Sequence, residues 1–187
     1  MSSNELKRNQ KEPSKILQDL SSAAIVVKKP SECSERELEA FDAVVIKGGE
    51  VTAEGLRDLI KKAKGLVFLF EGDNTLAGIA ALKYPNIGYK NRVFKKARAQ
   101  EDPDKFTFEV GWIYVERQFR GRKYSHFLLE ALLKLADENQ VYATTREDNK
   151  AMQSTLIRYG FQQSGFSYVS KRRDCNLLLL TRPLLQC

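Results

Sequence analysis

The sequence predicts an α/β fold, a mixed and mostly antiparallel sheet flanked by helices, and three observations carry that expectation. Apolar runs rich in β-branched and aromatic residues recur at 65–70, 75–82 and 106–115, as buried strands require. Leu38, Phe41 and Val45, and later Tyr124, Phe127, Leu128, Ala131, Leu132 and Leu135, fall at the spacing of helices with one apolar face. The strand patterns 65–70 and 75–82 are joined by turn-forming residues and should pair antiparallel, and 161–170 with 176–181 is expected as a closing antiparallel pair.

Taken in order, residues 1–20 are polar and are expected to be a flexible N-terminal segment, although Ile16, Leu17 and Leu20 could dock a short helix on the body. Residues 21–187 are expected to form a single domain. Residues 23–27 read as a short strand. Ser34 and Glu37 make a capping box that opens the first helix, and Gly48 with Gly49 closes it. Thr52 is expected to cap a second helix, with Val51 and Leu56 as its hydrophobic staple and Leu59, Ile60 and Ala63 turned inward. Glu71, Gly72, Asp73 and Asn74 then form the turn of a hairpin. Residues 84–105, punctuated by Pro85 and Pro103, carry Tyr89, Val93, Phe94 and Ala97 at helical spacing. Lys90, Arg92, Lys95, Lys96 and Arg98 make this a basic helical insertion at about 85–105. The strand from Phe106 to Val115 hands over to a helix running to about Asp137. A strand at 140–145 follows, then a helix at 148–159 with Asp148 as N-cap and Gly160 as its left-handed stop, before the closing pair.

Composition narrows the class of protein. The 187 residues are 42% hydrophobic, sufficient for one full core. No apolar run approaches the ~20 residues of a membrane span, and the polar start lacks a secretory signal, so a cytoplasmic location without membrane association is expected. Cys33, Cys175 and Cys187 lie far apart without metal spacing, which fits a reducing compartment with no structural disulfide and no metal. His126, the only histidine, has no evident carboxylate partner in sequence, which counts against a thiolate–imidazole nucleophile. A net charge of +7 admits nucleic acid, an acidic surface or an anionic small molecule as partner.

The informative stretch is 115–125. Arg117, Arg120, Arg122 and Lys123 surround Gly121 between a strand and a helix start, so fixed positive charge meets free backbone N–H groups, a combination suited to phosphate. Gln118, Phe119, Arg120, Gly121 and Arg122 resemble the first five places of the pyrophosphate loop, Q/R-x-x-G-x-G/A, of the GNAT N-acetyltransferase superfamily. Lys123 stands where that family has a small residue, and Ser125 where a second glycine is common. Asn149, Gly160 and Phe161 are similar to a later segment of the family, in which an Asn opens a helix ending in Gly-Phe; Leu156 occupies the position where many members have tyrosine. The resemblance covers 106–168 by motif and 23–183 by element order. It implies acetyl-CoA as cofactor, with its pyrophosphate over Gln118 to Lys123, Tyr124 and Ser125 beside it, and Asn149 and Met152 contributing from the later helix. It also implies that the strand ending at Val115 and the one starting near Val141 splay apart, so that the backbone of Ile113, Tyr114 and Val115 can hold the pantetheine arm.

Amine attack on a thioester needs a base, donors for the developing oxyanion and an acid for the thiolate. Glu109, conspicuous in so apolar a strand, is the candidate base; strict alternation would place it on the face of Gly111, Ile113 and Val115. Its structural alternative is an ion pair or hydrogen bond with an arginine. Tyr159, one turn beyond Leu156, is the candidate acid, or else the apolar end of its helix with the hydroxyl at the surface. The expected function is acetyl transfer to a primary amine of a small molecule, peptide or protein, by a monomer or homodimer. Two alternatives stand beside it: a module that binds CoA or another phosphorylated ligand without catalysis, and a nucleic-acid-associated enzyme acting on aminoacylated RNA. Nucleic acid is not favoured, because CoA accounts for the cations of the turn. The basic insertion is expected over the acceptor side of the cleft, favouring acceptors with carboxylate or phosphate groups.

Overall fold

The chain alternates strands β1 (Ala23–Lys28), β2 (Gly65–Glu71), β3 (Thr75–Lys83), β4 (Phe108–Val115), β5 (Val141–Arg146), β6 (Gln162–Val169) and β7 (Asn176–Arg182) with helices. The helices are α1 (Glu35–Gly48), α2 (Leu56–Lys61), α3 (Ile87–Ala97), α4 (Tyr124–Ala136) and α5 (Lys150–Arg158). The computed structural model describes residues 23–49, 51–171 and 174–184; the N-terminal segment expected at 1–20, with Ile16, Leu17 and Leu20, and Cys187 lie outside them.

The strands form one seven-stranded sheet in the order β1-β2-β3-β4-β5-β7-β6. Every neighbouring pair is antiparallel except β4 and β5. Helices cover both faces. On one, Leu128, Leu129 and Leu132 of α4 and Leu156 of α5 pack on Val67, Leu69, Val110, Val141 and Leu180. On the other, Phe41 and Val45 of α1 and Ile60 of α2 pack on Leu66, Phe68 and Ile79, while Val93, Phe94 and Ala97 of α3 pack on Phe106, Tyr142 and Leu179. This two-sided cover is why β2 and β3 read as continuous apolar runs rather than alternating ones.

Local signals act where they were read. Ser34 accepts from the Glu37 N–H while the Glu37 carboxylate accepts from the Ser34 N–H at 2.8 Å, closing the capping box of α1. Gly160 has φ 84°, and the Phe161 N–H returns to the Leu156 carbonyl at 3.2 Å, ending α5. Two caps differ from expectation. The second helix starts at Leu56 behind Gly55, φ 69°, rather than behind Thr52. Asn149, not Asp148, caps α5: its Oδ1 accepts from the Met152 N–H at 3.2 Å, whereas the Asp148 carboxylate is taken by Arg146 at 2.9 and 3.2 Å.

The largest difference is in β4. Trp112 has φ 50°, and the pairing with β3 shifts register between Ile79 and Ala81, the signature of a β-bulge. A bulge breaks the two-residue alternation, so Ile113 and Val115 join Phe108 and Val110 on the α4 face, while Trp112 and Tyr114 face α1. Glu109 therefore lies on the face opposite Ile113 and Val115, contrary to the strict alternation expected from sequence.

No helix among the described residues is long and apolar enough to cross a membrane.

Candidate active site

Beyond Val115 the chain makes a single 3-10 turn at Arg117–Phe119 and then takes left-handed backbone at Gly121, φ 83°, and Lys123, φ 61°, before α4 begins. That double reversal leaves the N–H groups of residues 121–125 without an acceptor among the described residues. They form a concave row of donors at a helix start, where the partial positive charge of α4 adds to them. The positive φ of Lys123 explains why a small residue suits this place.

The side chains of the turn divide the work. Glu71, at the end of β2, is hydrogen-bonded by both the Arg122 guanidinium and the Tyr124 hydroxyl, so it fixes the turn against the sheet and withdraws Arg122 from any ligand. Burial, reinforced by the hydrogen bond to Glu71, pushes the Tyr124 phenol up, so it remains a donor. Arg120 Nε donates to the Val115 carbonyl at 3.1 Å, with its guanidinium 5.6 Å from the Tyr114 ring centre. Arg117 and Lys123 are exposed and have no acid partner among the described residues, and Arg120, bonded to a carbonyl, keeps its charge as well, so these three cations can meet an anion. Gln118 is exposed and Phe119 half-buried against the core; Ser125 sits in the first turn of α4.

Upstream, β4 and β5 pair only over Phe108–Val110 and Val141–Ala143 and then part. The bulge at Trp112 lies where they separate, and a cleft of about 610 Å³ opens there. Ile113 lines it, with Thr144 of β5, the cap residue Asn149, and Met152 and Leu156 of α5 across the gap. The side chains of Tyr114 and Val115 do not line it, so any part they take in binding falls to their backbone. Backbone groups on the open side of β4 have no strand partner and can bond an extended, amide-bearing chain. The donor row at 121–125 and this unpaired strand edge fit a diphosphate with an amide arm.

On the opposite side of the sheet the cleft reaches Glu109, 5% exposed. Lys83, its register partner on β3, places Nζ 2.9 Å from Glu109 Oε1, and the Tyr142 hydroxyl donates to Oε2 at 3.5 Å. The partner is thus a lysine rather than the arginine anticipated. Lys83 reaches it by lying over Gly111, where a Cβ would stand 2.8 Å from Nζ, and also sits 4.9 Å from the Trp112 ring centre. The Tyr168 hydroxyl, buried without a hydrogen-bond partner, belongs to the same wall; burial, then the Glu109 charge, pushes its ionisation up and keeps it protonated.

Helix α3 supplies the outer wall from the basic insertion. Its cations do not act alike: Arg92 and Lys96 line the cleft, whereas Lys95 and Arg98 do not. Lys90, one of the five cations of the insertion, is 7% exposed and donates to the Phe106 carbonyl at 3.2 Å, with Asp104 at 3.7 Å. An aliphatic stem buried in the α3 face carries its ammonium to those acceptors.

Tyr159 does not line the cleft. It packs on the α4 core with its ring 5.8 Å from the His126 ring, so the structure does not bring this candidate acid to Glu109. Lys83, Tyr168 and Glu71 were not singled out from the sequence. Glu71 is the last residue of β2 and Lys83 the last of β3, and it is the register of β3 on β4 that pairs Lys83 with Glu109; nothing local marks Tyr168. Among the described residues no cluster of His, Cys, Asp and Glu could hold a metal.

Residues 33–161 match the model of the acetyltransferase (GNAT) family. Solved structures share the architecture. Ard1 from Thermoplasma volcanium superposes with a TM-score of 0.64 at 15% identity, covering 88% of this chain and 99% of that one. An acyl-CoA N-acyltransferase from Pseudomonas aeruginosa gives 0.63 at 18% identity, over 86% and 99%. The Salmonella typhimurium protein yncA, solved with its cofactor acetyl-CoA, gives 0.59 at 14% identity, over 89% and 96%. At these identities the likeness is one of fold. No curated protein sequence matches.

Proposed function

The chain belongs to the acetyltransferase (GNAT) family, and from that premise we propose that it transfers an acetyl group from acetyl-CoA to a primary amine. The observation that carries the reading is the row of unpartnered N–H groups at 121–125, continuous through the unpaired edge of β4 with a cleft that ends at a buried carboxylate. Bound acetyl-CoA supplies an activated thioester. The donor row, with Arg117 and Lys123, holds its diphosphate; the backbone of Ile113, Tyr114 and Val115 aligns the arm; Asn149 and Met152 close the gap from α5. Gln118 to Lys123, with Tyr124 and Ser125, form the cofactor loop.

Glu109 takes the proton of the incoming amine, directly or through water, and Lys83 orients its carboxylate. Holding both reactants in one cleft contributes on the order of 7 to 11 kcal/mol when they are well aligned. Tyr159 is not needed for this scheme, since the departing thiolate can be protonated by water.

A second reading, a CoA-binding module without turnover, is favoured by one observation: no tyrosine of α5 reaches the cleft, Leu156 lining it instead. Calorimetry with CoA and a thiol-release assay with acetyl-CoA and an amine panel separate the two. Binding with release supports the acetyltransferase, binding without release the module, and no binding at low salt by the folded protein would sink both.

A further inference from the structure

We infer that the acceptor is a small amine that also carries an acidic group, held by Arg92 and Lys96 of α3 while its amine addresses Glu109; the inference rests on the acetyltransferase reading. The charges of the acceptor side are lopsided. Lys83, Arg92, Lys96 and Lys171 line this part of the cleft, and Glu109 is the carboxylate that faces them. That single negative charge is already neutralised by Lys83 at 2.9 Å.

The remaining cations have no acid to answer them. Arg92 is exposed and has no carboxylate partner among the described residues, and the same holds for Lys171. Lys96 donates to the Val169 carbonyl at 3.0 Å and lies 5.7 Å from the Tyr168 ring centre, contacts that place its ammonium without cancelling its charge. Two acids of the segment that follows α3 do not line the cleft and are engaged elsewhere: Asp104 faces Lys90 at 3.7 Å, and Glu101 accepts from Thr181 at 3.1 Å and from Ser164. Arg146, on the α5 side of the cleft, is paired with Asp148 at 2.9 Å and adds nothing to this surplus.

A cleft lined by one sign of charge between protein walls concentrates ligands of the other sign. Its positive surplus repels polyamines and lysine-rich tails, which are the amines a negatively lined site would gather. An arginine offers its planar fork to a carboxylate or phosphate, so Arg92 is the specific contact and Lys96 the supporting charge. Glu109 then receives the amine end, and the acceptor lies along the face of the sheet between Glu109 and α3. Trp112, Tyr84 and Tyr89 supply flat apolar wall for a short carbon skeleton.

Matched amines that differ only in the acid test this with the full chain. Lysine is set against cadaverine for the carboxylate, and phosphoethanolamine against ethanolamine for the phosphate, in a thiol-release assay with acetyl-CoA whose own binding is measured by calorimetry. The expected result is a kcat/KM at least about tenfold higher for the acidic member of one pair, and which pair responds identifies the acid. Arg92→Gln should then raise KM for that member about tenfold at nearly constant kcat and acetyl-CoA affinity, with Arg92→Lys recovering part of the loss. Equal or better turnover of the neutral member in both pairs, or a KM that Arg92→Gln leaves unchanged, overturns the inference. So does acetyl-CoA that binds but is consumed with none of these amines, an outcome that leaves the cofactor site standing; a failure of acetyl-CoA to bind overturns the acetyltransferase reading itself.

Discussion

Lys83 and Glu109 face each other across β3 and β4, their charges 2.9 Å apart and both largely buried, at the point where the cleft passes through the sheet. A buried pair of this kind costs desolvation that its attraction only partly returns, so it is weak evidence of a stabilising role and compatible with a functional one. Removing one partner separates the possibilities. Glu109→Gln should lower the maximal acetylation rate by about 10²- to 10⁴-fold while CoA affinity stays nearly constant. Because the substitution strands the Lys83 ammonium, melting temperature is measured alongside. A rate unchanged across pH would remove Glu109 from the mechanism.

Gly111→Ala tests the same pair without touching either charge. A methyl group there would stand 2.7 Å from Lys83 Cε, so the flexible lysine must move off Glu109 while the backbone of β4 is undisturbed. The expected outcome is a small change in stability, within about 1 kcal/mol, with a clear fall in kcat. Wild-type kcat would show that Lys83 does not position the carboxylate.

Lys123 occupies a left-handed position at φ 61°, which costs a side-chain-bearing residue about 1 to 2 kcal/mol that glycine escapes. Glycine regains unfolded-state entropy worth about 0.4 to 1 kcal/mol, so Lys123→Gly should leave stability equal or raise it by up to about 1.6 kcal/mol in denaturant unfolding. A loss would mean that the lysine side chain holds the turn. CoA affinity of the same variant, followed against salt, reports whether the ammonium contacts phosphate.

His126 is a built-in reporter for that turn, because it is the only histidine in the chain. Burial, then the Arg158 and Lys123 charges, hold its imidazole below the ordinary value. The unfolded chain consequently takes up the proton first, so this group withdraws stability as pH falls through about 6.5 towards the lower folded value. A phosphate bound at residues 121–125 offsets those cations. NMR titration should therefore show the His126 pKa rising when CoA is added; an unmoved value, with CoA bound, would place the phosphates elsewhere.

Gly165 of β6 anchors the basic helix. It has φ 68°, and a Cβ there would lie 2.0 Å from the Ala97 carbonyl oxygen at the end of α3. Backbone cannot step aside as a flexible side chain can, so Gly165→Ala should destabilise by about 2 to 5 kcal/mol, combining left-handed strain with overpacking. Thermal unfolding checks this, and a neutral result would show that α3 is free to shift.

Sequence by itself determined the features written within a few residues of one another. The capping box of Ser34 and Glu37, the turn at 71–74, the stop at Gly160, the helix within the basic insertion and the donor-rich turn around Gly121 each depend on local backbone preference or a short apolar period. Tertiary structure decided what joins distant segments. The bulge at Trp112 arises in the pairing of β4 with β3, and it reverses the face of Ile113 and Val115 relative to Glu109. Lys83 becomes the partner of Glu109 only through strand register, Glu71 reaches Arg122 and Tyr124 from the end of a strand far back in the chain, and Lys90 is buried because Phe106 and Asp104 come back to meet it. Periodicity tells which residues share a face of one element; which charges meet is set by the packing of elements against each other, and the cleft is assembled from those meetings.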